Sequence, residues 1–268
     1  VQGDARFVGR DEISVSRYKE DERRITAGIF LLATGSHPAR PAEIPFDGRV
    51  VVDSDAVLSL PSIPKRLVVI GGGVIGCEYA SIFAALGVTV IIVNTRQRLL
   101  MQLDADLSDA LRQEMTRRLG IQVLLDTSVN AITVRDDVAT LTLSSGRELS
   151  ADCVLHCAGR EGHTRTLDLE TAGVETNARG FINVDATYRT ANPKVFAAGD
   201  VIGFPALAST AMEQARVAMC HAFDLKYKMA VSTVLPYGVW TIPELATVGL
   251  GVEEAHRLGI SVEVGRAS

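Results

Sequence analysis

An α/β fold with a buried parallel sheet is predicted by three observations. Leu67-Val68-Val69-Ile70 runs straight into a glycine-rich turn, Gly71-Gly72-Gly73-Val74-Ile75-Gly76, and an apolar stretch of helical period follows. A second continuous apolar run, Val88 to Val93, comes next, as a parallel strand buried on both faces requires. Ile121 to Leu125 supplies a third run after a segment with its own helix signals. These runs make a βαβαβ unit, half of a doubly wound, Rossmann-like sheet with right-handed crossovers.

The elements follow in order. Arg6 to Val8, Glu12 to Tyr18 and Ile25 to Leu32 alternate and are separated by Gly9-Arg10-Asp11 and Lys19-Glu20-Asp21-Glu22, which reads as an antiparallel meander. Pro38, Pro41 and Pro45 exclude a helix between His37 and Gly48. Asp53 or Ser54 is placed to cap a short helix to Leu60, and Pro61 and Pro64 mark a linker. A helix from Val74 to Leu86 stops at Gly87, and a helix capped by Asp104 runs to Leu119 and stops at Gly120. Residues 127–150 read as a second antiparallel insertion, turning at Asp136-Asp137 and Ser145-Gly146, before an apolar strand from Asp152 to Cys157. Val195 to Ala198 is a short buried strand, Leu207 to Asp224 a long amphipathic helix, and residues 237–268 begin an α+β pattern with a strand at Ile260 to Val264.

The 268 residues are 47% hydrophobic and 22% charged, enough for one large or two modest domains with a sizeable core. A net charge of -5 gives no reason to expect nucleic acid or an anionic membrane as partner. No apolar run approaches the roughly 18–20 residues that span a bilayer, and no signal or transit peptide is visible. Cys77, Cys153, Cys157 and Cys220 form no C-x-x-C pair and read as core thiols in a reducing cytoplasm. The five histidines show no triad or ligand spacing, and no metal site is expected. The chain begins on Val1 and ends within the expected last strand, so it reads as a piece of a longer protein.

Strand, G-x-G-x-x-G and helix in that order are the signature of a turn that binds a dinucleotide's pyrophosphate. Gly71 permits the tight turn, Gly73 lets a diphosphate approach the backbone, and Gly76 lets helix and strand pack closely. The helix N-terminus adds unpaired N–H groups and partial positive charge. About 20 positions on, an acidic residue would bind the adenosine ribose and repel a 2′-phosphate. Asn94 stands there instead, followed by Thr95, Arg96, Gln97 and Arg98. Asn94 can bond a hydroxyl without repelling phosphate, and Arg96 or Arg98 can pair with a 2′-phosphate, so the site is expected to take NAD and NADP. Glu78 falls near the start of the glycine helix, where a carboxylate would lie by the nicotinamide end. Ala33-Thr34-Gly35 and Ala198-Gly199-Asp200 each turn sharply after an apolar strand, where α/β sheets place ligands.

These motifs together resemble the two-dinucleotide flavoprotein reductases, the family of glutathione reductase, dihydrolipoamide dehydrogenase and mercuric reductase. The most specific segments are Ile75 to Phe83, Asn94-Thr95-Arg96 with Arg98-Leu99-Leu100, Gly199 to Gly203 with Leu207-Ala208-Ser209, and Thr241-Ile242-Pro243-Glu244. The resemblance implies an NAD(P)-binding domain (63–186) inserted between parts of an FAD-binding domain (1–62 and 187–232), then the start of a dimerisation domain (233–268). Gly71, Gly73 and Gly76 would hold the nicotinamide nucleotide's diphosphate, Asn94 and Arg96 its adenosine ribose, and Val74 would stand beside the nicotinamide pocket. Glu78 would be the catalytic carboxylate that pairs with a lysine near the flavin. Gly159 and Arg160 match the family's second Gly-Arg turn in the nucleotide domain. Thr34, Gly35, Gly199 and Asp200 would meet FAD, with Asp200 on the ribitol and Ala208 opening a helix aimed at the flavin pyrimidine. The replacement of the acidic residue by Asn94 points to the branch that passes hydride from NADPH through FAD to NAD+, and the resemblance implies a homodimer for the full-length protein. The alternatives are a disulfide reductase like dihydrolipoamide dehydrogenase or mercuric reductase, and a non-catalytic NAD(P)-binding module. The family's FAD-binding G-x-G-x-x-G is absent from these residues.

Overall fold

The computed structural model of the chain describes residues 1–17 and 22–267; Tyr18 and the polar cluster Lys19-Glu20-Asp21 lie outside the described residues. The chain forms two compact units, one of Val1–His37 with Arg160–Leu235 and the other of Pro38–Gly159 with Pro236–Ser268.

The second unit is built on a five-stranded parallel sheet whose strand order is Val51–Asp53, Cys153–His156, Arg66–Ile70, Thr89–Val93 and Gln122–Leu124. The apolar runs are continuous because both faces of this sheet are covered. Leu67, Val69, Val90, Ile92, Cys153 and Leu155 face one core with Cys77, Ala80 and Phe83 of the helix Val74–Ala85 and Leu111 and Met115 of the helix Ala105–Leu119. Their neighbours in the strands, Val68, Val93 and Val154, face a second core. The antiparallel strands Val129–Arg135, Val138–Leu143 and Glu148–Ala151 close that core through Ala139, Leu141, Leu143, Leu149 and Ala151. The βαβαβ unit thus has helices on one face and an antiparallel layer on the other. The turn at Asp136-Asp137 places both residues at positive φ, 49° and 60°, which suits a tight hairpin between twisted strands.

Pro236–Val239 and Leu245–Val248 pair antiparallel, and Val239, Tyr237 and Leu245 join the helix-side core. The helix Val252–Arg257 follows. Ile260 to Val264, expected to be a strand, lies outside any helix or strand; these residues are exposed, so no buried face draws them into a ladder.

In the first unit Asp4–Phe7, Glu12–Ser16 and Arg23–Thr26 form the expected meander. The expected single segment from Ile25 to Leu32 is divided at Ala27-Gly28. Phe30–Leu32 leaves the meander and pairs in parallel with Val195–Ala197. Phe7, Leu167, Leu169, Ala172, Val174, Ile182, Val195, Ala197 and Val201 make the core here, and the helix Ala208–Ala222 completes the unit.

The compact units divide the chain at positions other than the expected domain limits 62/63 and 186/187. Val51–Asp53 adds an edge strand to the parallel sheet and draws the preceding residues with it. Leu167 to Ile182 bury their apolar side chains against Phe7 and Val195 and stay with the first unit.

Asp53 faces His156 across the edge pair. Burial would raise the Asp53 carboxyl, but the N–H groups of Ala56 and Asp55, at 2.9 and 3.0 Å, and the Arg40 guanidinium, at 2.5 Å, outweigh it and hold it below the carboxylate range. Asp53 thus starts the short 3₁₀ turn Ala56–Ser59, doing from two residues upstream the work of a cap. His156 is 5% exposed, and burial pushes its imidazole below the ordinary value although the Ala39 backbone, Asp53 and Glu43 act the other way. As pH falls from about 6.5, the unfolded chain binds a proton that folded His156 refuses, so stability drops through that window. Denaturant melts between pH 8 and 5 should show this slope, and His156→Phe should flatten it above the range where carboxylates titrate.

Candidate functional site: the glycine turn and the paired turns

The backbone of Gly71-Gly72-Gly73 is approached from every side except one. Gly71 has φ +113°, and a Cβ on it would stand 3.0 Å from the Cys157 carbonyl. A Cβ on Gly72 would meet Leu99 Cδ2 at 2.6 Å and Asn94 Cγ at 2.9 Å. A Cβ on Gly76 would stand 2.0 Å from the Gly71 carbonyl oxygen, so strand and helix close up only with glycine there. Gly73 alone faces open space. It is the N-cap of the helix Val74–Ala85 and offers no side chain to the helix's first N–H groups. An open backbone beside uncapped donors is what an anionic group needs.

Asn94, 6% exposed, ends the second strand and ties the turn to the loop that follows. Its Oδ1 accepts the Gly72 N–H at 3.0 Å, and its Nδ2 donates to the carbonyls of Arg96 and Arg98 at 3.1 and 3.0 Å. The Leu100 N–H donates to the Gly72 carbonyl at 2.8 Å. Leu99 and Leu100 are fully buried beneath this loop, whereas Arg96 is exposed. The two arginines left open by the sequence therefore part company. Arg98 Nη1 and Nη2 donate to Glu253 Oε1 and Oε2 at 2.8 and 2.6 Å, and Nη2 also reaches the Leu103 carbonyl at 3.3 Å.

Val74 is half-buried at the helix start and packs against the helix-side core. Glu78 is one turn on, and its Oε1 accepts the Trp240 N–H at 2.7 Å. Asp104, expected to cap its own helix, makes no such bond. Its carboxylate accepts the Val252 and Glu253 N–H groups at 2.9 and 3.2 Å, while Glu253 Oε1 accepts the Ala105 N–H at 3.3 Å. Two helix starts so exchange caps.

In the first unit the paired strands are parallel, so both carboxyl ends emerge on one side. This brings Thr34 and Gly35 beside Gly199 and Asp200. Gly35 (φ +74°) and Gly199 (φ +79°) make the turns. Buried Gln214 accepts the Gly199 N–H through Oε1 at 2.8 Å. Ser36 Oγ donates to Asp200 Oδ2 at 3.2 Å and accepts from Arg160 Nε at 2.8 Å, while Arg160 Nη2 donates to the Ser36 carbonyl at 2.7 Å. Gly159, with φ +140°, belongs to the second unit and Arg160 to the first, so the expected Gly-Arg pair is divided, with the arginine beside Asp200. Ala208 opens its helix without a side-chain cap, and the buried Thr210 hydroxyl in the first turn has no partner among the described residues.

Ser36, Gln214, Arg98 as a clamp and Glu253 are the residues sequence reasoning missed. Their partners lie 164, 15 and 155 positions away, at separations no local motif reports. Cys77, Cys153 and Cys220 are buried and Cys157 partly so. Burial pushes the first two and Cys157 up to about 12, far from a reactive thiolate.

The geometry separates two glycines by mutation. Gly76→Ala should cost on the order of 1–3 kcal/mol, because the new methyl strikes backbone oxygen. Gly73→Ala should cost under about 1 kcal/mol, because its methyl enters open space and its φ of -80° suits alanine. Urea unfolding midpoints of the two variants check the contrast.

The model of the pyridine nucleotide-disulphide oxidoreductases matches residues 2–215. A soluble pyridine nucleotide transhydrogenase of Colwellia psychrerythraea is 40% identical over 267 residues, covering 100% of this chain and 57% of the relative. That of Pseudomonas aeruginosa is 42% identical over 265 residues, covering 99% and 57%. Among solved structures, LpdA of Mycobacterium tuberculosis superposes with a TM-score of 0.88 at 25% identity over 97% of this chain and 57% of its own. The HOCl-induced flavoprotein disulfide reductase RclA of Escherichia coli gives 0.85 at 27% over 96% and 58%. The chain spans little more than half the length of the relatives it matches. With its Rossmann-like sheet, glycine turn and paired turns, the chain belongs to the pyridine nucleotide-disulphide oxidoreductase family.

Proposed function

We propose that this chain is the nucleotide-handling part of a soluble pyridine nucleotide transhydrogenase, an FAD-dependent oxidoreductase that passes hydride from NADPH to NAD+. One observation carries the reading: an open glycine turn is joined through a neutral Asn94 to a loop with one exposed arginine. Gly71, Gly73 and Gly76 hold the nicotinamide nucleotide's diphosphate at the start of the helix Val74–Ala85. Asn94 shapes the adenosine ribose subsite and Arg96 meets a 2′-phosphate when one is present. Val74 stands by the nicotinamide pocket, and Glu78, oriented by the Trp240 N–H, presents a carboxylate there. Gly159 shapes the second turn of the same unit. In our reading residues 63–186 are the NAD(P) domain, 1–62 and 187–232 parts of the FAD domain, and 233–268 the start of a dimerisation domain.

When bound, FAD supplies the two-electron centre that both nucleotides address in turn. The residues fit such a group: the Thr210 hydroxyl is buried and unpaired among the described residues, in the uncapped first turn of a helix of 15 residues. Thr34, Gly35 and Gly199 provide close backbone approach. Asp200, braced by Ser36 and Arg160, accepts from ribitol hydroxyls, and Ala208 opens a helix whose dipole favours negative charge on the flavin. We place the intact protein in the cytoplasm as a homodimer. Four free thiols are consistent with a reducing compartment, and no helix among the described residues is long and apolar enough to cross a membrane.

The likeness to the flavoprotein disulfide reductase RclA favours one second reading, a disulfide oxidoreductase of the same family. A strong preference for NAD+ would support it. Calorimetry with NAD+ and NADP+ decides: our reading expects affinities within roughly tenfold, about 1.4 kcal/mol. Arg96→Ala should weaken NADP+ by about tenfold and leave NAD+ within about twofold. Unchanged NADP+ affinity in that variant removes Arg96 from the phosphate subsite.

A further inference from the structure

We infer that Glu253 sets nucleotide selectivity by holding Arg98 out of the 2′-phosphate subsite, leaving Arg96 as its reader. The inference rests on the nucleotide reading of the loop proposed above. Arg96 and Arg98 are two positions apart, so their Cα atoms lie no more than about 7 Å from each other. Their carbonyls accept from the same Asn94 amide nitrogen at 3.1 and 3.0 Å, so the loop is wrapped around one point. Two arginine side chains of equal length thus start from neighbouring points on one loop. Their partners distinguish them. Arg96 is exposed and makes no ion pair among the described residues. The Arg98 side chain is 18% exposed and is gripped at 2.8 and 2.6 Å by both oxygens of Glu253.

This grip is built into the fold. Glu253 is held from below by the Ala105 N–H, and its own N–H is bound by Asp104. A Cβ on Gly251 would stand 2.5 Å from an Asp104 carboxylate oxygen, so the two helix starts approach this closely only with glycine there. The carboxylate is therefore preset opposite the guanidinium before any nucleotide arrives. A bidentate pair of this kind is the geometry in which arginine competes for carboxylate or phosphate, not both. Closed on Glu253, Arg98 adds nothing to phosphate affinity, and the 2′-phosphate is left with a contribution small enough for one site to serve both nucleotides.

The test is calorimetry of NAD+ and NADP+ on the full chain and on Glu253→Gln, Glu253→Asp and Glu253→Gln/Arg98→Ala, each checked for folding by thermal melt. Glu253→Gln should tighten NADP+ about threefold to tenfold relative to NAD+, and the double variant should return the ratio to that of the parent. Glu253→Asp withdraws the carboxylate by one methylene and should shift the ratio the same way by less. An unchanged ratio in the folded single variants overturns the inference and leaves the Arg96 reading intact. A gain that survives removal of Arg98 also overturns it, because loss of a negative charge then suffices. If the parent chain binds neither nucleotide, the proposed site and this inference fall together.

Discussion

The approach of the helix Val74–Ala85 to the turn before it is the constraint on which the second unit depends. With Gly71's carbonyl 2.0 Å from where a Cβ on residue 76 would lie, helix and strand meet backbone to backbone. That contact fixes the direction in which the helix leaves the sheet and thus which residues reach the core. Cys77, Ala80 and Phe83 then fall over Leu67, Val69 and Leu155. The same contact leaves the helix's first N–H groups beside Gly73 with no side chain over them. Close packing and an open backbone come from one set of glycines: an added Cβ would meet backbone at Gly71 and Gly76 and open space at Gly73.

The sequence made this part of the molecule legible because its signals are local. Apolar runs of strand length, a glycine turn and helix stops at Gly87 and Gly120 each report on a few neighbouring residues, and each element stands where they place it. The edge strand Val51–Asp53 was less legible: three residues flanked by loops carry too little periodicity to distinguish a strand from a turn. Its existence depends on Cys153–His156, a hundred positions on. Ile260 to Val264 shows the converse, an alternating pattern with no partner among the described residues to make it a strand. At the site, positions were legible and orientations were not. Asn94 stands at the strand end, but whether its amide faces outward or inward onto three backbone groups is decided by the fold of the loop.

The first unit illustrates how topology assembles turns that are remote in sequence. Phe30–Leu32 and Val195–Ala197 contribute three residues each, too few to hold a ligand site alone. Pairing them in parallel carries Thr34-Gly35 and Gly199-Asp200 to the same end of the ladder. Helix and hydroxyl braces then fix the result: Gln214 on the Gly199 N–H, and Ser36 between Arg160 and Asp200. Arg160 is the instructive residue. It is the first residue of this unit's second segment, and its guanidinium donates to Ser36, which in turn donates to Asp200.

Neutrality at position 94 does more than remove a charge. A carboxylate there would accept the Gly72 N–H as the amide does, but it has no N–H to give to the carbonyls of Arg96 and Arg98. An acidic residue would leave those carbonyls to find other donors or turn outward, and the loop would not close around the same point. The amide therefore determines both the charge at the strand end and the course of the backbone that carries the arginines. The loop wound on Asn94 carries an exposed Arg96 and an Arg98 whose guanidinium Glu253 grips. The shape of this loop depends on an amide that a charge-based reading of the sequence treats as a mere absence of acid.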